Sequence, residues 1–148
     1  MWFHKKHFFL KCALLNAIQS IRFYIYKNDR QYSDQLIIGD GIVASTPFGS
    51  TGYYQSITKT TFKENFQIVF NNTVTTIAPL EFKTGDIITL KVVRGPGEMT
   101  SDNNPETIEL IEGDKAFIKV SDQIAKIFSP QTLRCSNCEV KREERLHE

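Results

Sequence analysis

The feature that most constrains this chain is its rhythm: short β-branched and aromatic runs interrupted by turn residues roughly every eight to twelve positions. Ile21-Arg22-Phe23-Tyr24-Ile25-Tyr26 alternates two faces and stops at Lys27-Asn28-Asp29, a turn signal. Residues 32–38 run into Gly39-Asp40-Gly41, and residues 42–46 follow before Pro47. Residues 66–70 and 73–78 flank Asn71-Asn72, which predicts a two-residue hairpin turn. Residues 87–93 are strongly β-branched and end at Gly95-Pro96-Gly97. Residues 107–111 and 115–120 flank Glu112-Gly113-Asp114, a second expected hairpin, and residues 123–128 form a last apolar run before Pro130. Few stretches show a 3.6-residue period, so the pattern predicts a mainly β fold, a sandwich or barrel. Helix is expected in only two places, residues 49–56 after Pro47 and the charged tail 139–148.

A chain of 148 residues fits one domain with a real core. Its formal charge of +1 and pI near 7.7 give no basic field for nucleic acid and no acidic one for metal storage. Three cysteines, an odd and sparse number, fit a reducing cytosol rather than a disulfide framework, so a cytoplasmic location is expected. Lys5 and Lys6 before Phe8-Phe9-Leu10 mimic a signal peptide, but Lys11 breaks the run and no small-residue cleavage site follows. The stretch is also too short to span a bilayer, and no membrane association is expected. The division predicted is an N-terminal segment 1–12, a β domain 13–130 and a charged tail 131–148.

The informative stretch reads Gly39-Asp40-Gly41-Ile42-Val43-Ala44-Ser45-Thr46-Pro47-Phe48-Gly49-Ser50-Thr51-Gly52-Tyr53-Tyr54-Gln55-Ser56. Physically it predicts a tight turn carrying a carboxylate, a buried strand, a proline stop and a small-residue loop entering a short helix. Glycines let a backbone approach a ligand closely. Ser50 and Thr51 supply hydroxyls where a helix exposes unpaired N–H groups, a suitable place for a nucleotide. The plain reading of the same residues is a β-turn followed by a capped helix.

As a whole the stretch resembles the motif of NAD kinases: a GDG turn, an apolar strand, then TP-x-GST-[AG]-Y with a serine three residues on. The match covers Gly39, Asp40, Gly41, Thr46, Pro47, Gly49, Ser50, Thr51, Gly52, Tyr53 and Ser56. Weaker similarity flanks it. Ala13-Leu14-Leu15-Asn16 takes the place of an A-L-N-E element, and Ser101-Asp102-Asn103-Asn104-Pro105 with the segment 107–120 resembles the family's paired strands containing an Asp-Gly turn.

The resemblance implies the NAD-binding β half of an NAD kinase, a β-sandwich with a short helix after the GST loop. Such enzymes transfer the terminal phosphoryl group of ATP, or of polyphosphate, to the 2′-hydroxyl of the adenosine ribose of NAD, with Mg²⁺. It implies NAD contacts from Asn16 and Thr51 at the adenosine part, Tyr53 against the nucleotide, Asp40 near the nicotinamide end, Gly52 as a close-approach position and Ser56 as a further polar contact. It also implies a homo-oligomer in which a neighbouring subunit completes the site. Tyr24, Tyr26 and Phe70 are expected to support such association, as aromatics a small sandwich does not bury on both faces.

The departures are specific. Ala17 replaces the glutamate after Asn16, Phe48 replaces a small residue, and Ile57-Thr58-Lys59-Thr60 replaces Ala-Gly-Gly-Pro. The family's GGDG loop, which holds the triphosphate and supplies the aspartate that acts on the ribose hydroxyl, does not occur in these 148 residues. The chain is therefore expected to be a fragment or shortened product of a kinase, or else a non-catalytic NAD(P)-binding or oligomerisation module. Cys135-Ser136-Asn137-Cys138 has the spacing of half a zinc site, for which Cys12, His4, His7 and His147 are the other conceivable ligands; exposed thiols are the simpler reading. Asp102 is most simply a turn former.

Overall fold

The structure, a computed structural model, describes residues 2–3, 6–7, 12–101 and 105–121, with side chains from Ser20 onward. The expected strand 123–128, the tail 131–148 with its helix and Cys135 and Cys138, and the Asp102 turn lie outside the described residues. Two strands of two residues, β1 (Trp2–Phe3) and β2 (Lys6–His7), pair with each other.

The rest is organised by β3 (Cys12–Lys27), the longest strand. Residues 21–26, just before its end, are the alternating run seen in the sequence, and they bury Ile21, Phe23 and Ile25 while Arg22, Tyr24 and Tyr26 stay half-exposed. β3 turns at Asn28 and Asp29, whose φ angles of 50° and 63° are those of a type I′ hairpin turn, into the short β4 (Arg30–Gln31). Then follow β5 (Ile37–Ser45), a 3-10 turn (Phe48–Thr51) and α1 (Tyr53–Thr58). After them come β6 (Phe66–Asn71), β7 (Leu80–Phe82), β8 (Ile87–Arg94), β9 (Gly97–Ser101), β10 (Ile108–Leu110) and β11 (Lys115–Lys119).

All pairings are antiparallel. The strand order is β10-β9-β3-β5-β6-β7, with β8 also joined to β3 and β11 to β8. Along one side β3 pairs with β5. Along the other, Ala13–Asn16 face β9 and Arg22–Lys27 face β8. One strand thus belongs to both branches of the sheet, which closes over a single core in the manner of a β-sandwich. Phe23, Ile25, Ile68, Phe82, Ile88, Leu90 and Val92 form that core, each essentially inaccessible to water. Each such side chain contributes about 1.5–3 kcal/mol by leaving water. On the opposite face of β5 and β6 a second, smaller cluster of Val43, Val69 and Tyr54 seats α1, with Ile57 and Phe62 against it.

The mainly β class and the short helix after the GST loop are as expected; several local expectations are not, three of them in the connections between strands. Residues 32–36 form a bend held by the Ser33 hydroxyl on the Gln35 carbonyl (3.0 Å), so the strand starts only at Ile37. Asn71-Asn72 does not make a hairpin, because a type I′ turn needs positive φ at both central residues and only Asn72 has it (47°). Residues 73–78 instead cross the start of β5, with the Val74 N–H on the Ile38 carbonyl (3.0 Å), and β6 pairs with the later β7. The Glu112-Gly113-Asp114 turn forms, with Gly113 at φ 91° and the Ile111 N–H donating to Asp114 Oδ2 (2.9 Å). Yet its two arms do not pair with each other: β10 pairs with β9 and β11 with β8, so the turn links the two branches of the sheet.

Candidate functional site

The Gly39-Asp40-Gly41 run is not a turn but the middle of β5. Strand side chains alternate faces, so Ile37 and Ile42, an odd number of residues apart, cannot both face the core in a regular strand. Both do. The glycine run absorbs the slip, with Gly41 at φ 138°, a conformation that favours glycine. β3 is irregular at the same level: its register steps from Asn16↔Gly41 to Ile21↔Gly39, leaving residues 17–20 opposite Asp40. A GDG sequence therefore looks like a turn because turns and bulges draw on the same residue types.

This bulge places the half-buried Asp40 among three backbone segments. Its Oδ2 accepts from Asn72 Nδ2 at 2.8 Å, and its Oδ1 faces the Ser20 hydroxyl at 3.4 Å. The backbone of Asn16 pairs with Gly41, beside it. Gly39 has a structural reason to be glycine: a Cβ there would lie 2.7 Å from Thr73 Cγ2 and 3.0 Å from the Asn71 carbonyl oxygen. The close approach that the glycine permits is to the protein's own 71–73 segment.

The second group follows Pro47, where β5 has ended. Thr46 Oγ1 accepts from the Gly49 N–H (3.0 Å) and so caps the 3-10 turn. Ser50 is buried, its hydroxyl donating to the carbonyls of Pro47 (2.7 Å) and Phe62 (3.3 Å), which makes it a fastener of the loop. Tyr54 is the anchor of α1. It is buried over Val43 and Val69, its ring meets Phe62 edge-on at 4.8 Å, and its hydroxyl donates to Gln67 Oε1. Burial pushes the Tyr54 phenol up from its ordinary value, so it stays a neutral donor.

With Tyr54 turned inward, Tyr53 is turned out: neighbouring helical residues do not share a face, and Tyr53 is 47% exposed. Gly52 is exposed beside it, and a Cβ at Gly52 would meet only the Gly49 carbonyl oxygen at 3.3 Å. Ser56 is exposed but its hydroxyl already donates to the Tyr53 carbonyl (2.6 Å). Thr51 is half-buried between the two turns. Thr51, Gly52, Tyr53 and Ser56 thus share one small surface, and Asp40 lies apart from it, about 10 Å along β5 from the Val43 level that Tyr54 covers.

This architecture is found in known proteins. Yeast NADH kinase, in a complex with NADH, superposes with a TM-score of 0.61 and 17% identity over 72% of this chain and 33% of its own. An NAD kinase from Archaeoglobus fulgidus, in a complex with ATP, gives 0.60 and 16% identity over 75% of this chain and 44% of its own. The fold is shared with NAD kinases. The chain spans a third to less than half the length of these two proteins. No family model matches the sequence, and no curated protein matches it.

Sequence reasoning missed Asn72 and Ser20, the partners of Asp40 among the described residues, because neither is near it in the chain. The available signal was the residue type alone, since asparagine tolerates the left-handed region; that Asn72 adopts it, at φ 47°, is seen only in the structure. Among the described residues no three His, Cys, Asp or Glu side chains converge as metal ligands. No helix among them is long and apolar enough to cross a membrane.

Proposed function

We propose that this chain is the NAD-binding β half of an NAD kinase-type phosphotransferase. The observation that carries this reading is a coincidence: the GDG and TP-x-GST-G-Y residues lie in a domain whose fold is shared with NAD kinases. In this reading Asn16 and Thr51 serve the adenosine part, Tyr53 covers the nucleotide with its outward ring, Gly52 is the close-approach position, Ser56 is a further polar contact, and Asp40 accepts a hydrogen bond near the nicotinamide end. The resemblance of the motif residues also supports a homo-oligomer in which a neighbouring copy completes the dinucleotide site. The phosphoryl donor, ATP or polyphosphate with Mg²⁺, would be held by elements outside this domain. A second reading, a non-catalytic NAD(P)-binding or oligomerisation module, is favoured by the lack of a GGDG loop in these residues.

Titration calorimetry of the chain with NAD tests the binding. Asp40→Asn is expected to weaken it by about one to two decades, the value of one hydrogen bond involving a charged group, while circular dichroism stays unchanged. Absence of binding at millimolar NAD would remove both nucleotide readings and leave oligomerisation.

A further inference from the structure

Asp40 is held unevenly. Its bond from Asn72 Nδ2 to Oδ2, at 2.8 Å, is short and charge-assisted, whereas the Ser20 hydroxyl at 3.4 Å from Oδ1 is well beyond the usual O–H···O distance of about 2.7–2.8 Å. Asn72 itself has little freedom. It follows the last ladder pair of β5 and β6, Gly41↔Asn71, and sits at φ 47°, a conformation asparagine tolerates better than most residues. The next residue, Thr73, is pressed onto Gly39, and Val74 is bonded to Ile38. A carboxylate has no donor, so the amide must present its N–H₂ to Asp40.

We infer that Asn72 is a positioning residue: anchored between Gly39 and Ile38 by its neighbours, it clamps Oδ2 of Asp40 so that Oδ1 is the acceptor turned to the ligand. Ser20 is the weak placeholder on that oxygen and yields to a better donor. The chemistry this selects is an N–H or O–H donor group, such as a carboxamide or a ribose hydroxyl. The inference rests on the dinucleotide reading above.

The test is a binding cycle on the full chain with NAD as the probe, comparing wild type, Asn72→Gly, Asp40→Ala and the double variant. Glycine accepts the positive φ, so Asn72→Gly removes the amide without backbone strain. NAD affinity is expected to fall about three- to tenfold in Asn72→Gly, in the range of one hydrogen bond. No further fall is expected when Asn72→Gly is added to Asp40→Ala, because nothing remains to position. Thermal melts of the four proteins separate this from loss of fold. An equal fall in both backgrounds, or none in the wild-type background, overturns the positioning role while leaving NAD binding intact. No binding by well-folded wild type overturns the dinucleotide reading and this inference together.

Discussion

At the scale of single residues, two carboxylates illustrate different uses of the same chemistry. Asp86, nearly buried where β8 begins, accepts from Asn28 Nδ2 (2.7 Å) and the Lys83 N–H (2.9 Å), with Lys27 Nζ at 3.1 Å. The Asn28 amide first, then the Lys83 N–H and Lys27, hold its carboxyl down to about 2. Because the folded value is depressed, the stabilisation is complete above the ordinary carboxyl range and is lost as pH falls from about 4 towards 2. Asp86→Ala is expected to lower stability at neutral pH by about 1.5–3 kcal/mol and to flatten that part of the acid response, as urea midpoints at several pH values will report. Asp40, by contrast, has one oxygen held by Asn72 and the other met only at 3.4 Å by the Ser20 hydroxyl. If that oxygen accepts from a carboxamide, the analogue with a carboxylate in its place sets two anions against each other. Its affinity is then expected to be at least about tenfold below that of NAD. Asp40→Asn should shrink the gap, and calorimetry with both dinucleotides measures it.

At the scale of elements, the two glycines of the motif segment differ. Gly39→Ala drives a methyl into Thr73 and the Asn71 carbonyl, and is expected to cost about 1–3 kcal/mol. Gly52→Ala meets one backbone carbonyl oxygen, of Gly49, at a tight 3.3 Å that must give by a few tenths of an ångström, and is expected to cost less than Gly39→Ala, about 1 kcal/mol. Denaturation of the pair measures both. The strands themselves were legible: the β-branched runs at 21–26, 42–46, 66–70 and 87–93 all lie in strands or at their ends, since burying one face forces alternation. The 3-10 turn and α1 were legible from Pro47 and the small residues after it. Pairing was not. The Glu112-Gly113-Asp114 turn carries a real turn signal, but which strand an arm joins is decided by β8 and β9, far away in the chain. The bulge at Gly39-Asp40-Gly41 was hidden for a related reason, because its cause is the slip between Ile37 and Ile42 against a partner strand. Of the candidate site, Tyr53 and Gly52 are neighbours in the chain and both exposed, whereas the network of Ser20, Asp40 and Asn72 exists only once three segments meet.

At the scale of the molecule, Phe70 belongs to the core, stacked on Tyr32 at 6.2 Å, and so leaves the set of aromatics available for association. Tyr24 and Tyr26 remain half-exposed on the outer face of β3. A dimer or tetramer is expected in light scattering at micromolar concentration, and a clean monomer would also weaken a dinucleotide site shared between copies. With no GGDG loop in its 148 residues, the chain alone is expected to form no NADP from NAD, ATP and Mg²⁺ at anything near about 1 s⁻¹. The position of β3 has a consequence in time as well as in space. Among the described strands it is the first long one in chain order, yet its partners β8 and β9 follow only after β5, β6 and β7, with Lys27 pairing to Ile88 and Ala13 to Ser101. At about 5–20 residues per second on the ribosome, β3 waits several seconds with one edge unpaired. Sheets closed by such distant pairings form slowly. Until Gly97–Ser101 has emerged, the nascent chain presents the edge that its own later strands are built to cover, and a chaperone or a second nascent copy competes for it.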